Sequence, residues 1–155
     1  MMKIIPFIFM IGVGLIAIFL VYKAERYREA AIRALAIRYG FHYLGNALPR
    51  SLTLNGTPLN GISSVWNVID GDPRGARVVA FDCRVGVGKG SWCRTVIAVK
   101  SDEDLLSPLA FTPEMVLDHS REWKILYRKK AFFSMRSGGL TPIEELAAYL
   151  KAFAG

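Results

Sequence analysis

The distribution of apolar and polar positions divides the chain into three stretches of different rhythm. Residues 4–22, IIPFIFMIGVGLIAIFLVY, run without a charge. Residues 23–40 then show apolar side chains at helical spacing, with Ile32, Leu35, Ala36 and Tyr39 on one stripe and Gly40 suited to the left-handed position after a helix end. Further on, apolar and polar residues alternate with period two, which is the signature of strands. The expected strands are 65–69, 77–85, 91–99, 123–127 and 131–135, and residues 105–120 read as an irregular strand with a short helical turn. Turn-formers fill residues 45–64, including Asn55-Gly56 and Asn60-Gly61, and an acidic turn follows at 101–104. A final helix is expected from Thr141-Pro142-Ile143-Glu144, with Thr141 as its cap, Pro142 in its first position, and a stripe of Ile143, Leu146, Ala147, Leu150 and Phe153.

This order predicts an α+β fold: an antiparallel sheet or roll of roughly five to seven strands covered by the C-terminal helix. A pleckstrin-homology-like roll has the same order of elements. The chain divides into residues 1–23 as a transmembrane anchor, 24–40 as an amphipathic juxtamembrane helix that continues the anchor as one rod, and 41–155 as a cytoplasmic domain. A helix over residues 4–22 is about as long as the ~30 Å hydrocarbon layer requires. Its Ile, Leu, Val and Phe residues together favour insertion by on the order of 4–8 kcal/mol. A cleaved signal peptide would need a shorter apolar core and a small-x-small exit, whereas this run leaves through Phe19-Leu20-Val21-Tyr22-Lys23-Ala24. Lys23, Arg26, Arg28, Arg33 and Arg38 follow the run and only Lys3 precedes it, so positive-inside bias puts the N-terminus outside and the domain in the cytoplasm. Neither Gly12 nor Gly14 has a small residue four positions on, so helix dimerisation through the bilayer has no sequence support.

The glycine-rich stretch RVGVGKGSWCR (84–94) tests for phosphate chemistry. A P-loop needs Gly-Lys followed directly by Ser or Thr and then by a helix, but here Gly90 separates Lys89 from Ser91, and 92–99 alternates as a strand. The glycines therefore serve a hairpin. Centred on Gly88, that hairpin would put Phe81, Cys83 and Val85 on one face with Cys93, Thr95, Ile97 and Val99. Asp82 would then pair with Arg94, Arg84 with Trp92, and Cys83 would lie opposite Cys93. In a reducing cytoplasm the two thiols are expected to stay free. Asn55-Gly56-Thr57 matches a glycosylation acceptor, a signal without meaning on the cytoplasmic side.

No residue pattern assigns a catalytic, cofactor-binding or metal-binding role. The only histidines, His42 and His119, stand in no metal spacing. The enzyme alternative requires His42, Cys83, His119 and an acid to converge in space. The binding alternative rests on the formal net charge of +7 and on the basic segment 121–136. There Lys124, Arg128, Lys129 and Lys130 are the candidate contacts with an anionic surface, interleaved with Trp123, Tyr127, Phe132 and Phe133. The partners expected are the bilayer through residues 4–22 and an anionic lipid or membrane protein; nucleic acid is not expected.

The segments REAAIRALAIRYGFHY (28–43), NVIDG (67–71) and AFDCRVGVGKGSWCRTVIAV (80–99) resemble a loosely defined group of small bacterial single-pass membrane proteins of uncharacterised function. The resemblance implies an N-terminal membrane helix, an arginine-rich connector and a β domain, in the bacterial inner membrane. It implies no activity, and the aromatic residue that such proteins often carry at the place of Cys83 argues against thiol chemistry. The preferred reading is thus a membrane-tethered, non-catalytic binding or structural module.

Overall fold

The computed structural model describes residues 4–101, 114–129 and 139–155, with the backbone alone at 4–8 and 89. It is an α+β fold with a long N-terminal helix, a six-stranded antiparallel sheet and a C-terminal helix. Helix α1 (Ile4–Tyr39) is uninterrupted and at 1.5 Å per residue about 54 Å long. It ends as expected: Gly40 takes φ +78° and the Phe41 N–H reaches back to the Ala36 carbonyl at 2.8 Å, a Schellman closure that also seats Phe41 in the core. Strands β1 (His42–Gly45), β2 (Ile62–Gly71), β3 (Arg77–Val85), β4 (Trp92–Lys100), β5 (Met115–Ser120) and β6 (Trp123–Arg128) lie in the order β1-β2-β3-β4-β6-β5. Helix α2 (Ile143–Ala154) closes the chain.

Two cores sandwich the sheet. On one face Ile32, Leu35 and Ala36 of α1 and Leu146, Tyr149, Leu150 and Phe153 of α2 pack on Ile69, Val78, Ala80, Ile97, Val99 and Leu126. The expected stripes of both helices are therefore the buried ones, and the cover consists of α1 as well as α2. On the opposite face Val79, Phe81, Cys83, Val96, Ala98 and Ile125 lie under Leu48, Leu52, Leu54 and Leu59, from the segment between β1 and β2. Trp123 Nε1 donates to the Ser51 carbonyl (3.1 Å) and Ser120 Oγ to the Asn55 carbonyl (2.8 Å), pinning that segment down. Burial on both faces explains why β3 reads RVVAFDCRV, a nearly continuous apolar run.

Several expectations need correction. The β3–β4 hairpin is one residue out of the predicted register: Asp82 faces Thr95, Cys83 faces Arg94, Arg84 faces Cys93 and Val85 faces Trp92. A single-turn 3-10 segment at Gly88–Gly90 carries the reversal, with Gly86 and Gly88 both at positive φ. Because one residue of slip exchanges sheet faces, Cys83 and Cys93 lie on opposite sides, both as buried free thiols. The Asp82–Arg94 and Arg84–Trp92 pairs are absent; Arg94 instead stacks on Trp92 of its own strand, 3.1 Å from the ring centroid, and on Tyr127. Thr141 does not cap α2, since Pro142 takes that place without a side-chain bond. Residues 62–64, placed in the turn-rich stretch 45–64, are strand, and 42–45 form a strand that the expected set does not include. The expected strand at 131–135 and Lys130 lie outside the described residues.

Among the described residues no helix is long and apolar enough to cross a membrane. From Phe9 the apolar run reaches only Tyr22, roughly 21 Å of helix, before Lys23, Glu25 and Arg26 intervene. The structure supports the long helix of the expected architecture; a crossing would have to use residues 4–8 as well.

Candidate functional site: a cleft over a buried ion pair

Asp82 is the one carboxylate in an apolar strand and its side chain is fully buried. Four donors meet it. Arg28 of α1 approaches with one edge of its guanidinium, Nε to Oδ2 at 2.7 Å and Nη2 to Oδ1 at 2.8 Å. Thr95 Oγ1 donates to Oδ1 at 2.7 Å and Asn67 Nδ2 to Oδ2 at 3.0 Å. Every lone-pair direction of the carboxylate is thereby used. Arg28 also donates to the Thr95 hydroxyl (2.8 Å) and the Thr141 carbonyl (2.9 Å), and the Thr141 N–H donates to Thr95 Oγ1 at 2.9 Å. One network joins α1, β2, β3, β4 and the entry to α2.

Asn67 reaches Asp82 because β2 carries a bulge. The register shifts by one residue between Trp66 and Ile69, and Asn67 sits there at φ +54°, a conformation that asparagine tolerates better than most residues. The bulge turns Trp66 and Asn67 toward α1 together, and the Tyr43 hydroxyl donates to Asn67 Oδ1 at 3.2 Å.

Above this network a cleft of about 440 Å³ opens between α1 and the sheet. Tyr22, Glu25, Arg26 and Glu29 form its helix wall; Tyr43, Ser64, Trp66, Asn67 and Arg84 form the sheet wall and floor. Arg26 is held by the Tyr22 hydroxyl (3.0 Å) and Glu29 (3.4 Å), contacts that raise its pKa. Arg33 also pairs with Glu29 at 2.7 Å and stacks on Tyr43, 4.4 Å from the centroid. Burial raises the Tyr43 pKa, so that ring stays neutral. The side chains of Glu25 and Arg84 form no ion pair or hydrogen bond among the described residues.

The residues singled out from sequence are scattered. Lys124 is half-buried on β6 opposite Val99 and His119. Arg128 is paired with Glu145 (3.4 Å) and Glu114 (3.3 Å), and Lys129 is exposed. His42 and His119 are exposed on the two outermost strands, while Cys83 is buried at the sheet centre on the face away from the cleft. Burial pushes the Cys83 thiol up to about 12. No group of His, Cys, Asp and Glu able to hold a metal occurs among the described residues. Asp82 could have been suspected from sequence, since a lone carboxylate in an apolar strand demands a partner. Nothing local identifies that partner as Arg28, 54 positions away.

Comparison with protein-family models, curated proteins and solved structures gave no match.

Proposed function

We propose that this chain is a membrane-tethered, non-catalytic binding module, with residues 4–22 in the bilayer, the N-terminus outside and the sheet domain in the cytoplasm of a bacterial cell. The observation that supports this is the contrast between the two halves of α1. Eleven large apolar side chains between Phe9 and Tyr22 are exposed, with Phe9 at 72%, Ile16 at 62% and Leu20 at 58%. They point in all directions around the helix, which in water would make an apolar surface far beyond that of ordinary monomers. With residues 4–8 added from sequence the charge-free run is long enough to span. From Arg28 onward the same helix is fastened to the sheet through Asp82.

The scatter of His42, Cys83 and His119 supports the binding reading over a Cys/His enzyme. Lys124, Arg128, Lys129 and Lys130 are assigned an auxiliary contact with anionic headgroups, in which exposed Lys129 leads because Arg128 already has carboxylate partners. The full-length protein should stay with the membrane pellet through alkaline carbonate washing, and a reporter at its C-terminus should be active only on the cytoplasmic side. Release into the supernatant would remove the anchor, and outer-side activity would reverse the orientation.

A further inference from the structure

The cleft has the composition of a receptor for a molecule bearing both charges. Its ionisable lining, leaving aside the tyrosines, consists of Glu25, Glu29, Arg26 and Arg84, two acids and two bases. A purely anionic ligand would meet two carboxylates and a purely cationic one two guanidiniums, so neither has a net electrostatic advantage. The charges are also separated across the gap. Both acids project from α1, whereas Arg84 rises from β3 beside Ser64, its cross-strand partner. On the helix wall Glu29 is shared between Arg26 (3.4 Å) and Arg33 (2.7 Å), so the charged side chains of the cleft without an ion-pair partner among the described residues are Glu25 on one side and Arg84 on the other. Between them Trp66 is the aromatic side chain of the cleft with no arginine over its ring among the described residues, because Tyr22 and Tyr43 carry Arg26 and Arg33.

Position adds a second argument, which rests on the membrane reading above. Tyr22 ends the apolar run and lines the cleft. If residues 4–22 span the hydrocarbon, the opening lies in the headgroup layer, the level at which Tyr and Trp concentrate. The volume is within the range of small-molecule sites, ~300–1,000 Å³.

We propose that the cleft binds a phosphate ester carrying an alkylammonium group, the chemistry of a zwitterionic phospholipid headgroup. Arg84, with the Ser64 hydroxyl beside it, takes the phosphate through charge-assisted hydrogen bonds. The ammonium lies over Trp66 and against Glu25. Binding involves no covalent step.

Calorimetric titration of the full-length protein in a non-ionic detergent tests this with glycerophosphoethanolamine as the probe. It should bind, and glycerophosphoglycerol, which lacks the ammonium, should bind about tenfold more weakly, the loss expected for one charge-assisted contact. Glu25→Gln should erase that preference, and Arg84→Gln should weaken both esters about tenfold, with unchanged melting temperatures because both side chains are at the surface. Lys151→Gln, which removes an exposed charge on α2 outside the cleft lining, should change neither. Equal affinity for the two esters, or a Glu25→Gln protein that still discriminates, overturns the proposal. A short-chain phosphatidylethanolamine that competes with the ester supports a lipid source, and lack of competition supports a water-soluble one. Release by carbonate with ester binding intact would refute the anchor alone, whereas membrane retention with no ester binding would refute this site alone.

Discussion

Half-buried Arg28 and buried Arg94 show how differently the same side chain can be accommodated. Arg28 makes four hydrogen bonds, to Asp82, Thr95 and the Thr141 carbonyl. Arg94 is enclosed by Trp92 and Tyr127, and its Nε and Nη1 find no hydrogen-bond partner among the described residues. Burial lowers its pKa. Breaking the first pair leaves an uncompensated charge in the interior, so Asp82→Ala should destabilise the protein by ~3–5 kcal/mol in urea unfolding. Arg94→Met keeps the stacking volume and removes a poorly solvated charge, and it should leave the protein at least as stable as the wild type. The buried phenols add a pH dependence. Burial, followed by the neighbouring acid Asp118 or Glu145, pushes Tyr127 and Tyr149 up to about 12 from the usual 10. Their folded-state pKa values are raised, so the neutral forms favour the native state. Their contribution is complete below pH 10 and is lost as pH climbs from 10 toward 12. Thermal melts across that window should show the fall, and Tyr127→Phe should make it shallower. Both thiols should resist labelling until the chain unfolds, because Cys83 and Cys93 are buried and the Cys83 thiolate is disfavoured.

The strands and helices were largely legible because their periodicities are local. The stripes of α1 and α2, the closure at Gly40 and the positions of β3, β4 and β6 follow directly from which residues recur every two or every 3.6 positions. Strand β1 was missed because its four residues lie behind a helix end and in front of a turn-rich segment. The bulge in β2 left only the faint trace of an asparagine inside a strand. Gly71 shows what such an edge requires: a Cβ there would lie 2.8 Å from Phe41 Cδ1, so the ring packs directly on the bare backbone. Gly71→Ala should displace Phe41 and cost ~1–3 kcal/mol by denaturant titration. Gly40→Ala meets open space, but its φ of +78° is strained for any Cβ, and the expected loss is ~1 kcal/mol.

As an assembly, α1 links an apolar surface left exposed by the described residues with a domain built on two cores. If the division at Tyr22 is correct, a chain beginning at residue 23 should fold and remain in solution, since Arg28, Ile32, Leu35 and Ala36 are kept. Removal of Arg28 as well should cost most of the stability of that domain, measured by circular dichroism on heating, because Asp82 would be left buried and unpaired. The cleft exists only through this docking: its helix wall belongs to α1 and its floor to β2 and β3. Its chemistry was therefore invisible in any single segment, and the basic run that drew notice in the sequence is divided between paired Arg128, half-buried Lys124 and exposed Lys129.

By itself the sequence determined the α+β class, the long first helix, the hairpin nature of the glycine-rich stretch and the apolar faces, since each is set by residues close together in the chain. Tertiary structure alone decided which residues meet. A one-residue difference in the β3–β4 register moved Asp82 away from Arg94 and under α1, separated the cysteines to opposite faces and gave Arg28 its partner. Hairpins of adjacent register differ little in local preference. The choice between them is made by what the two faces of the sheet must bury, and that depends on helices and loops far away in the chain.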